Sequence, residues 1–416
     1  MRLVILTVGT RGDVEPYLAL GLGLRGAGYE VRLVTDTAFE QDVRECGLEF
    51  APLGAAFLSL LQTPEGRAAL AGKNRLGLMR RVMPLLEEMM DDAWAAAQDA
   101  DALVYHPKAL AGYHIAERLN APGLLALAAP LYSLTAAFAS PLLSGDYGPR
   151  LNRLSHQAVL GATLLPYRRM INRWRKTRLG LPAFGNDRRL HGRPVPKPYA
   201  YSPLVVPRPD DWDASSQATG YWVLERDWSP PPDLLAFLEG GPPPVYVGFG
   251  SMVGRDAAAT TALVRAALRE AGQRGILATG YGGLDDASPE ADVYTLGAAP
   301  HGWLFPRCAA LVHHGGAGTT GAGLRAGKPT VVCPFFGDQP FWGTRVAALG
   351  LGPPPLPQKR LTAAALARAV VTAVSDAGLK ERAEAMGERL RQENGVARAV
   401  ALIGERLAQA GRPTLG

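Results

Sequence analysis

The chain has few cysteines, few aromatic residues and no long uninterrupted apolar run. Among its 416 residues there are 3 cysteines, and aromatic side chains make up 7%. Cys46, Cys308 and Cys333 lack the paired spacing of a metal site or a disulfide framework, which predicts a reducing, cytoplasmic environment. The apolar start of the chain, residues 3–8, is too short for the core of a signal peptide. Residues 123–139 are mainly apolar but include a proline and several hydroxyl groups, so we expect a buried strand, a loop and a short helix there rather than a membrane span.

What is present indicates two α/β domains. Hydrophobic residues make up 47% of the chain and charged residues 20%, so large cores can form, and this length is typical of about two domains. The net charge of +6 is only mildly basic. It argues neither for nor against nucleic acid by itself, and we expect no nucleic-acid partner.

Residues 309–343 contain the clearest motif. Their pattern predicts a strand at Ala309–Val312, a glycine turn, a helix at Gly321–Ala326 and a second strand at Pro329–Pro334. Glycines between a strand and a helix let the backbone approach an anion, and the free N–H groups of the helix add a partial positive charge. A diphosphate site is therefore one interpretation. A glycine-rich turn with a capping threonine is the other.

The motif HHGGAGTT, followed by GKP and then PFFGDQPFWG, resembles the donor-binding signature of the family 1 glycosyltransferases. It is most similar to the branch of bacterial and fungal sterol 3-beta-glucosyltransferases and antibiotic glycosyltransferases. The resemblance implies an α/β, GT-B fold, in which two Rossmann-like doubly wound domains face a central cleft and a C-terminal helix crosses back to the first domain. We expect an acceptor-binding domain at 1–205, a linker at 206–240, a nucleotide-sugar-binding domain at 241–395 and the returning helix at 396–416.

The same resemblance implies roles for individual residues. His314 would act on the diphosphate, and a group of donor-binding residues would line it or grip the sugar hydroxyls: Gly12, Ser251, Gly316, Gly318, Thr319, Asp338 and Gln339. In the plant-type signature a tryptophan stacks on the uracil. We place Ala298 or Ala299 near that position, so recognition of the base must differ in this chain.

Asp13 is the candidate general base. It follows the first predicted strand in GTRGDVEP, a segment that resembles the family's N-terminal motif, in which an acidic residue takes the proton of the acceptor hydroxyl. Asp13 also fits the N-terminal cap of the next helix, and the two interpretations are compatible. A carboxylate at a helix N-terminus tends to have a lowered pKa, which makes it a weak base. Glu15 and His106 are secondary candidates for contacts with the acceptor.

Two patterns invite a wrong interpretation. The glycines at 21, 23 and 26 fit G-x-G-x-x-G, but they fall inside the first predicted helix rather than at the end of a strand, so we reject a dinucleotide site. Asp211-Trp212-Asp213 spells D-x-D, yet it lies in the proline-rich connection between the domains. The resembled family is metal-independent, and we expect neither a metal nor another cofactor.

A basic segment at 148–186 contains no acidic residue. Basic side chains alternate there with apolar ones, as in a segment that lies on an anionic membrane. The alternative is a solvated basic face on helices that pack over the acceptor pocket. The sequence leaves both open, so the predicted location is cytoplasmic, either free or peripheral at a membrane surface.

These observations predict an inverting, metal-independent glycosyltransferase. It would move a hexose from a UDP- or dTDP-sugar, with UDP-glucose as the expected donor, to a hydroxyl of an apolar acceptor such as a sterol. A nucleotide-sugar epimerase or hydrolase of the same fold, and a non-catalytic nucleotide-sugar or lipid binding protein, remain as alternatives. The sequence does not fix the sugar, the acceptor or the oligomeric state.

Overall fold

A computed structural model describes residues 1–54, 75–185, 189–250, 256–279, 284 and 290–411, with side chains described from residue 81 onward in the second of these ranges. The candidate donor ligand Ser251 lies outside them. The fold contains two parallel five-stranded sheets, and the loops at their carboxyl edges position the candidate site.

The first sheet contains β1 (Arg2–Leu6), β2 (Glu30–Thr35), β3 (Glu49–Pro52), β4 (Ala102–Tyr105) and β5 (Gly123–Leu125). The strands are parallel and lie in the order β3-β2-β1-β4-β5. Since β1 and β4 are neighbours, the loops that follow them meet at the same edge of the sheet.

Two small ladders follow. Strand β6 (Arg189–Leu190) pairs antiparallel with β7 (Arg193–Pro194), and β8 (Lys197–Tyr199) pairs in parallel with β9 (Ser216–Ala218). Strand β9 lies within the segment predicted as a linker, so the first part of that segment is paired to the first domain.

The second sheet contains β10 (Val245–Gly248), β11 (Gly275–Ala278), β12 (Val293–Leu296), β13 (Ala310–His313) and β14 (Thr330–Val332). Its parallel order, β12-β11-β10-β13-β14, repeats the order of the first sheet. The predicted pair of doubly wound α/β domains is therefore confirmed.

Helices surround both sheets. The first group is α1 (Arg11–Gly26), α2 (Glu40–Glu45), α3 (Arg75–Ala97), α4 (Gly112–Arg118), α5 (Pro149–Leu164) and α6 (Arg168–Trp174). The second group is α7 (Pro232–Glu239), α8 (Ala257–Glu270), α9 (His301–Leu304), α10 (Ala317–Arg325), α11 (Gln339–Ala348), α12 (Ala363–Ser375), α13 (Ala377–Arg391) and α14 (Gly395–Gln409). Short 3₁₀ turns lie at Thr37–Phe39, Leu165–Tyr167, Phe305–Arg307 and Gln358–Arg360, and a π-helical turn lies at Arg175–Leu179.

Each sheet is buried on both faces. In β1, Val4 and Leu6 pack into one core, whereas Leu3 and Ile5 pack into another on the opposite face, as the two-residue period of a strand requires. Fully burying one such side chain stabilises the fold by roughly 1.5–3 kcal/mol. This double burial explains why the strands are almost entirely apolar.

The C-terminal helix α14 returns to the first domain, as predicted. It contacts α1, and Ala399, Ile403 and Leu407 join the core between α1 and the first sheet. A Cβ at Gly23 would come within 2.4 Å of Val396, while one at Gly21 would come within 2.8 Å of Leu48. These glycines therefore allow close packing of α1.

One prediction for residues 123–139 is wrong. Strand β5 forms there, but the chain then continues to Pro149 in turns and bends with no helix. Polar side chains interrupt the apolar run, and Thr135 bonds Asp211 instead of taking part in a helix. Among the helices of the described ranges, none is both long and apolar enough to span a bilayer.

Candidate functional site

Asp13 lies in the first turn of α1, at the carboxyl edge of the first sheet. Its Oδ2 accepts a hydrogen bond from the Thr10 N–H at 2.9 Å and another from the Thr10 hydroxyl at 3.2 Å. Thr10 is the N-cap of α1 and Asp13 is the third residue of the helix, and together they form a capping box. The capping role is therefore present, and it holds the carboxylate in one orientation.

Lys108 neutralises the Asp13 carboxylate. Its Nζ lies 2.8 Å from Oδ1 and 2.8 Å from Oδ2. Lys108 was not among the predicted site residues. The strand order could have indicated this contact, because it places the loop after β4 beside the loop after β1. The two side chains are 95 residues apart in the sequence.

His106 completes this group. Its Nε2 lies 3.6 Å from Oδ1 of Asp13, and its Nδ1 accepts the Lys108 N–H at 3.1 Å. This bond assigns the proton of the neutral ring to Nε2, on the side of Asp13. Glu15, in contrast, forms an ion pair with Arg11 one turn earlier, at 3.1 Å.

Gly9 makes room for the carboxylate. Its φ is +137°, which only glycine adopts readily, and a Cβ there would come within 2.2 Å of Asp13 Oδ2. Side chains at this position are therefore incompatible with the observed Asp13 orientation. Gly12 lies exposed in the first turn of the same helix.

The pKa values of this group follow from its contacts. Burial alone would raise the pKa of Asp13, but the charges of Lys108 and His106 and the hydrogen bonds from Lys108 and Thr10 outweigh it, so the pKa lies below its ordinary value. Burial lowers the pKa of His106 to about 4 despite the Asp13 charge. Near neutral pH Asp13 is ionised and His106 is neutral.

In the second domain the glycine motif follows β13. Helix α10 begins at Ala317, four residues earlier than predicted, and its N-cap is Gly316. Gly318 and Thr319 therefore lie in the first helical turn, where backbone N–H groups have no intrahelical acceptor. This geometry presents several donors and the positive end of a helix dipole to one point.

Two consecutive histidines shape this turn. His313 ends β13 and its Nδ1 accepts the Gly315 N–H at 2.9 Å. Gly315 has a φ of +89°, and a Cβ there would come within 2.6 Å of Val332. His313 was not among the predicted site residues. Its role in holding the turn depends on the folded backbone, which the residue types in the motif do not reveal.

His314 is neutral near pH 7 in this protein. Burial lowers its pKa to about 4, against a smaller opposing contribution from the Gly248 carbonyl. Burial also lowers the pKa of His313, and the neighbouring His314 lowers it further. A neutral imidazole can donate one hydrogen bond but supplies no positive charge.

Three buried polar atoms of this region have no hydrogen-bond partner among the described residues. They are Nε2 of His313, Nδ1 of His314 and Oγ1 of Thr320. Buried polar groups are normally paired, and an unpaired one costs about 1–3 kcal/mol. The turn therefore has hydrogen-bonding capacity that its own side chains leave unused.

Asp338 and Gln339 begin α11 after β14. The indole of Trp342 donates to Oδ2 of Asp338 at 2.8 Å. Gln339 Oε1 accepts the N–H groups of Phe335 at 2.8 Å and Phe336 at 3.3 Å. The amide oxygen of Gln339 thus holds the loop, and a contact of this residue with sugar stays a prediction.

Ionisable side chains of the two domains lie close enough to shift one another's pKa values. Burial raises the pKa of Asp338, with the Trp342 hydrogen bond opposing it and the Asp13 charge adding to it. His301, at the start of α9, has its pKa lowered to about 4 by burial, by His314 and by Arg11 of the first domain. Helices α1 and α10 also contact each other. Asp13 and His314 therefore belong to the same cleft.

Trp303, near the glycine turn in sequence, and the D-x-D motif both have structural partners. Trp303 lies edge-on to Trp228, with ring centroids 5.0 Å apart, and Arg307 covers its face at 4.0 Å, so helix packing accounts for it. Asp211 accepts hydrogen bonds from the Thr135 hydroxyl at 2.7 Å and the Ala136 N–H at 2.8 Å, and it pairs with Arg153. The D-x-D motif anchors a loop.

The sequence matches two family models. Residues 3–137 match the glycosyltransferase family 28 N-terminal domain. Residues 285–399 match the erythromycin biosynthesis protein CIII-like, C-terminal domain. The first match contains Asp13 and Lys108, and the second contains the glycine turn and Asp338.

The chain is also similar over nearly its full length to longer proteins. A sterol 3-beta-glucosyltransferase of Neosartorya fischeri is 38% identical over 97% of this chain, which spans 29% of that protein. A sterol 3-beta-glucosyltransferase of Arabidopsis thaliana is 37% identical over 96% of the chain, which spans 64% of that protein. The chain thus covers less than two thirds of these curated relatives.

Solved structures show the same fold. The glycotransferase of kitacinnamycin superposes with a TM-score of 0.69 at 20% identity, covering 97% of this chain and 98% of the other. The glycosyltransferase SnogD from Streptomyces nogalater gives 0.64 at 22% identity, with 99% and 100% covered. The glycosyltransferase VinC in complex with dTDP gives 0.63 at 20% identity, with 99% and 100% covered. The predicted GT-B architecture is confirmed.

Proposed function

We propose that this chain, which belongs to the glycosyltransferases of GT-B fold, moves a hexose from a nucleotide diphosphate sugar to a hydroxyl group of an apolar acceptor. The observation that carries the proposal is that an ionised Asp13 and the donor-type glycine turn belong to one cleft, at which α1 contacts α10. Either feature alone would fit a simple capped helix. Together they supply a base on one side and an anion site on the other.

The donor diphosphate would lie at the N-terminus of α10. The N–H groups of the first turn, at Ala317, Gly318 and Thr319, would donate to phosphate oxygens. The neutral His314 would add a hydrogen bond rather than a charge. The helix dipole then supplies most of the positive potential, which is consistent with a metal-independent reaction. UDP-glucose is the proposed sugar donor because of the similarity to sterol 3-beta-glucosyltransferases.

The proposed chemistry is a single inverting displacement. The oxygen of the acceptor hydroxyl attacks the anomeric carbon while the bond from that carbon to the diphosphate oxygen breaks. The hydroxyl proton passes to the Asp13 carboxylate, and the bonding electrons leave with the diphosphate. Asp338, held by Trp342, is proposed to bind the sugar hydroxyls.

The contact between Lys108 and Asp13 bears on this chemistry. An ammonium 2.8 Å from both carboxylate oxygens makes Asp13 a weaker base. We propose that the acceptor hydroxyl enters between the two groups and displaces the ammonium from one oxygen. A weak base suffices if the sugar departs early, because the hydroxyl then becomes acidic as it bonds to the oxocarbenium-like carbon.

A sterol or another apolar alcohol is the proposed acceptor. The support comes from the two sterol 3-beta-glucosyltransferases, each more than a third identical over nearly the whole of this chain. The chain covers only part of those proteins, so their activity is carried over here as a proposal.

The test is nucleoside diphosphate release from UDP-glucose and from dTDP-sugars, measured with and without a panel of sterols, macrolides and phenols. We expect release that depends on an acceptor and collapses in the Asp13→Asn variant. Equal release without acceptor would indicate a hydrolase or epimerase and contradict the proposal. Tight UDP binding with no turnover across the panel would favour a binding protein.

A further inference from the structure

An apolar surface lies on the first domain around α5. Ten large hydrophobic side chains are exposed among the described residues, and six of them fall between residues 142 and 165. They are Leu142 at 40% exposure, Leu143 at 39%, Tyr147 at 47%, Leu151 at 57%, Leu154 at 55% and Leu165 at 68%. We call these six residues the α5 patch. Such clustering marks an interaction surface more than scattered exposed residues do.

The first half of helix α5 is inverted relative to an ordinary surface helix. Its exposed side carries Leu151 and Leu154, and the chain continues to the exposed Leu165, at spacings that keep these residues on one helical face. The buried side of this first half carries the polar residues Asn152, Ser155 and His156, whereas the second half buries Leu160. A helix in water normally shows the opposite arrangement, so the outward face of α5 is suited to an apolar environment.

Hydrogen bonds fix this inverted orientation. Asn152 accepts the Tyr147 N–H at 3.0 Å, the Ser155 hydroxyl accepts the Ser140 N–H at 2.8 Å, and His156 Nε2 lies 3.0 Å from the Phe138 carbonyl oxygen. These bonds also hold the loop that presents Leu142 and Leu143. Turning α5 to bury its leucines would break them.

The charges that border the α5 patch are mainly positive. Asp146, an exposed acidic residue within the patch, accepts hydrogen bonds from the Gly148 N–H at 3.0 Å and the Asn152 amide at 2.8 Å. Arg150, Arg168 and Arg169 are exposed, and the described residues offer them no acidic partner, whereas Arg153 is paired with Asp211 at 3.1 Å. Arg150 lies one turn before Leu154, and Arg168 and Arg169 lie one turn after Leu165. Unpaired guanidinium groups therefore border exposed leucines at both ends of the helix.

We propose that the α5 patch docks on the surface of a membrane rich in anionic lipid. The leucines would enter the region between headgroups and acyl chains, and the three arginines would contact lipid phosphates. A second copy of this chain is a poorer occupant. A symmetric pair would bring the arginine rims of both copies together, and like charges across an interface are unfavourable.

The patch is continuous with the cleft. Phe138, whose carbonyl is held by His156 of α5, packs against Phe341 of α11 with ring centroids 5.4 Å apart. Phe341 lies three residues after Asp338. Docking would thus orient this side of the cleft toward the bilayer. The docking itself does not depend on the proposed transferase chemistry and is measured without substrates.

The test is flotation of the full chain with phosphatidylcholine vesicles, with and without phosphatidylglycerol, across a range of salt concentrations. Wild type is expected to bind the anionic vesicles and to lose binding as salt rises. A triple charge reversal, Arg150→Glu, Arg168→Glu and Arg169→Glu, is expected to weaken binding at least about tenfold. The matched control carries Lys359→Glu, Arg360→Glu and Arg368→Glu, three exposed positions of the second domain with the same change in net charge.

A second pair of variants isolates the apolar contribution. Leu151→Ser with Leu154→Ser is expected to weaken binding to anionic vesicles at least about tenfold. Leu235→Ser with Val371→Ser, at 36% and 44% exposure, is expected to leave it unchanged. Thermal unfolding checks that all variants fold, and light scattering without lipid reports the oligomeric state.

Several outcomes would overturn the proposal. One is wild-type protein that stays with the buffer at the lowest salt concentration. Another is equal loss of binding in the patch and control variants. A third is a wild-type dimer that the leucine variant converts to a monomer, because the patch would then be an interface between two copies of the chain.

Discussion

The two loops that face the cleft have the same strand–turn–helix arrangement, but they differ in how their polar side chains are hydrogen-bonded. After β1, the Asp13 carboxylate is bonded by Thr10 and Lys108. After β13, one buried polar atom each of His313, His314 and Thr320 has no partner among the described residues. The two sheets have the same strand order, so topology does not cause the difference. The side chains in the loops do.

The difference indicates what each half does. The first loop carries a charge and its countercharge, so it is complete before any ligand arrives and can act on a neutral hydroxyl group. The second loop contains neutral histidines and free helix N–H groups. Such a loop gains most from an anion that supplies several acceptors at once. Perturbing one half and comparing the result with the other half tests this division.

The largest effect is expected from Asp13→Asn, which keeps the shape of the side chain but removes its ability to take a proton. We expect kcat to fall about 10³-fold, within the range for a general base, while UDP affinity stays near wild type. Steady-state kinetics and calorimetry measure the two. Glu15→Gln is the matched control on the same helix, and an equal loss in that variant would show that Asp13 has no special role.

His314→Ala should damage the second half. The leaving diphosphate would lose a hydrogen bond that matters most in the transition state, so kcat is expected to fall about 10²-fold. UDP binding should weaken as well. His106→Gln, the corresponding change in the first half, is expected to leave UDP affinity unchanged. If His106→Gln weakens UDP binding as much as His314→Ala, the division of the cleft is wrong.

Acid should affect the buried histidines of the cleft before Asp13. His301 and His314, like His106 in the first half, have folded pKa values of about 4, below the ordinary value of 6.5. As pH falls from 6.5 toward 4 the unfolded chain therefore takes up these protons first, and stability is lost by roughly 1–3 kcal/mol per histidine. The pKa of Asp13 lies below its ordinary 3.8, so its contribution is lost only below that pH. Denaturant unfolding of wild type and His314→Gln across pH measures this, and an unchanged slope between pH 6.5 and 4 in the variant would contradict it.

Lys108→Met should alter the pH profile more than the rate. Without the ammonium the pKa of Asp13 rises, and because Asp13 acts when deprotonated, the acid limb of kcat/KM moves to higher pH. At pH values above that limb the change in kcat is expected to be less than about tenfold. Lys108→Arg should restore the wild-type limb. A limb that stays in place in Lys108→Met would mean that the ion pair does not control Asp13 during turnover.

The sequence predicted the regular part of this architecture well. Buried parallel strands are almost wholly apolar, so β1, β13 and β14 can be recognised from the sequence pattern. The glycine turn and its position in the cleft follow from a motif whose residues are close together in sequence. The return of α14 to α1 depended on family resemblance, since nothing in residues 397–410 specifies which surface they contact.

What the sequence did not reveal depends on contacts between distant segments. Lys108 bonds a carboxylate 95 residues away, and only the strand order brings them together. Helix α10 begins at Ala317 rather than at Gly321 because packing overrides the low helix propensity of glycine. Gln339 was expected at the sugar, yet its amide oxygen binds the backbone of its own loop, and a list of polar residues does not show such an orientation.

The smallest effects are expected on the free energy of unfolding when Thr320 or Thr10 is replaced by valine. Thr320 has a buried hydroxyl group without a partner in the described part of the chain, so Thr320→Val should raise the free energy of unfolding by about 1 kcal/mol. Thr10→Val removes a hydroxyl that bonds Asp13 at 3.2 Å and should lower it by about 1 kcal/mol. Saturating UDP should then stabilise the Thr320 variant less than wild type, because the nucleotide can no longer provide the missing partner. Equal stabilisation by UDP in both proteins would show that this hydroxyl group does not serve the donor, and the unused hydrogen-bonding capacity of the second loop would then rest on its histidines and helix N–H groups.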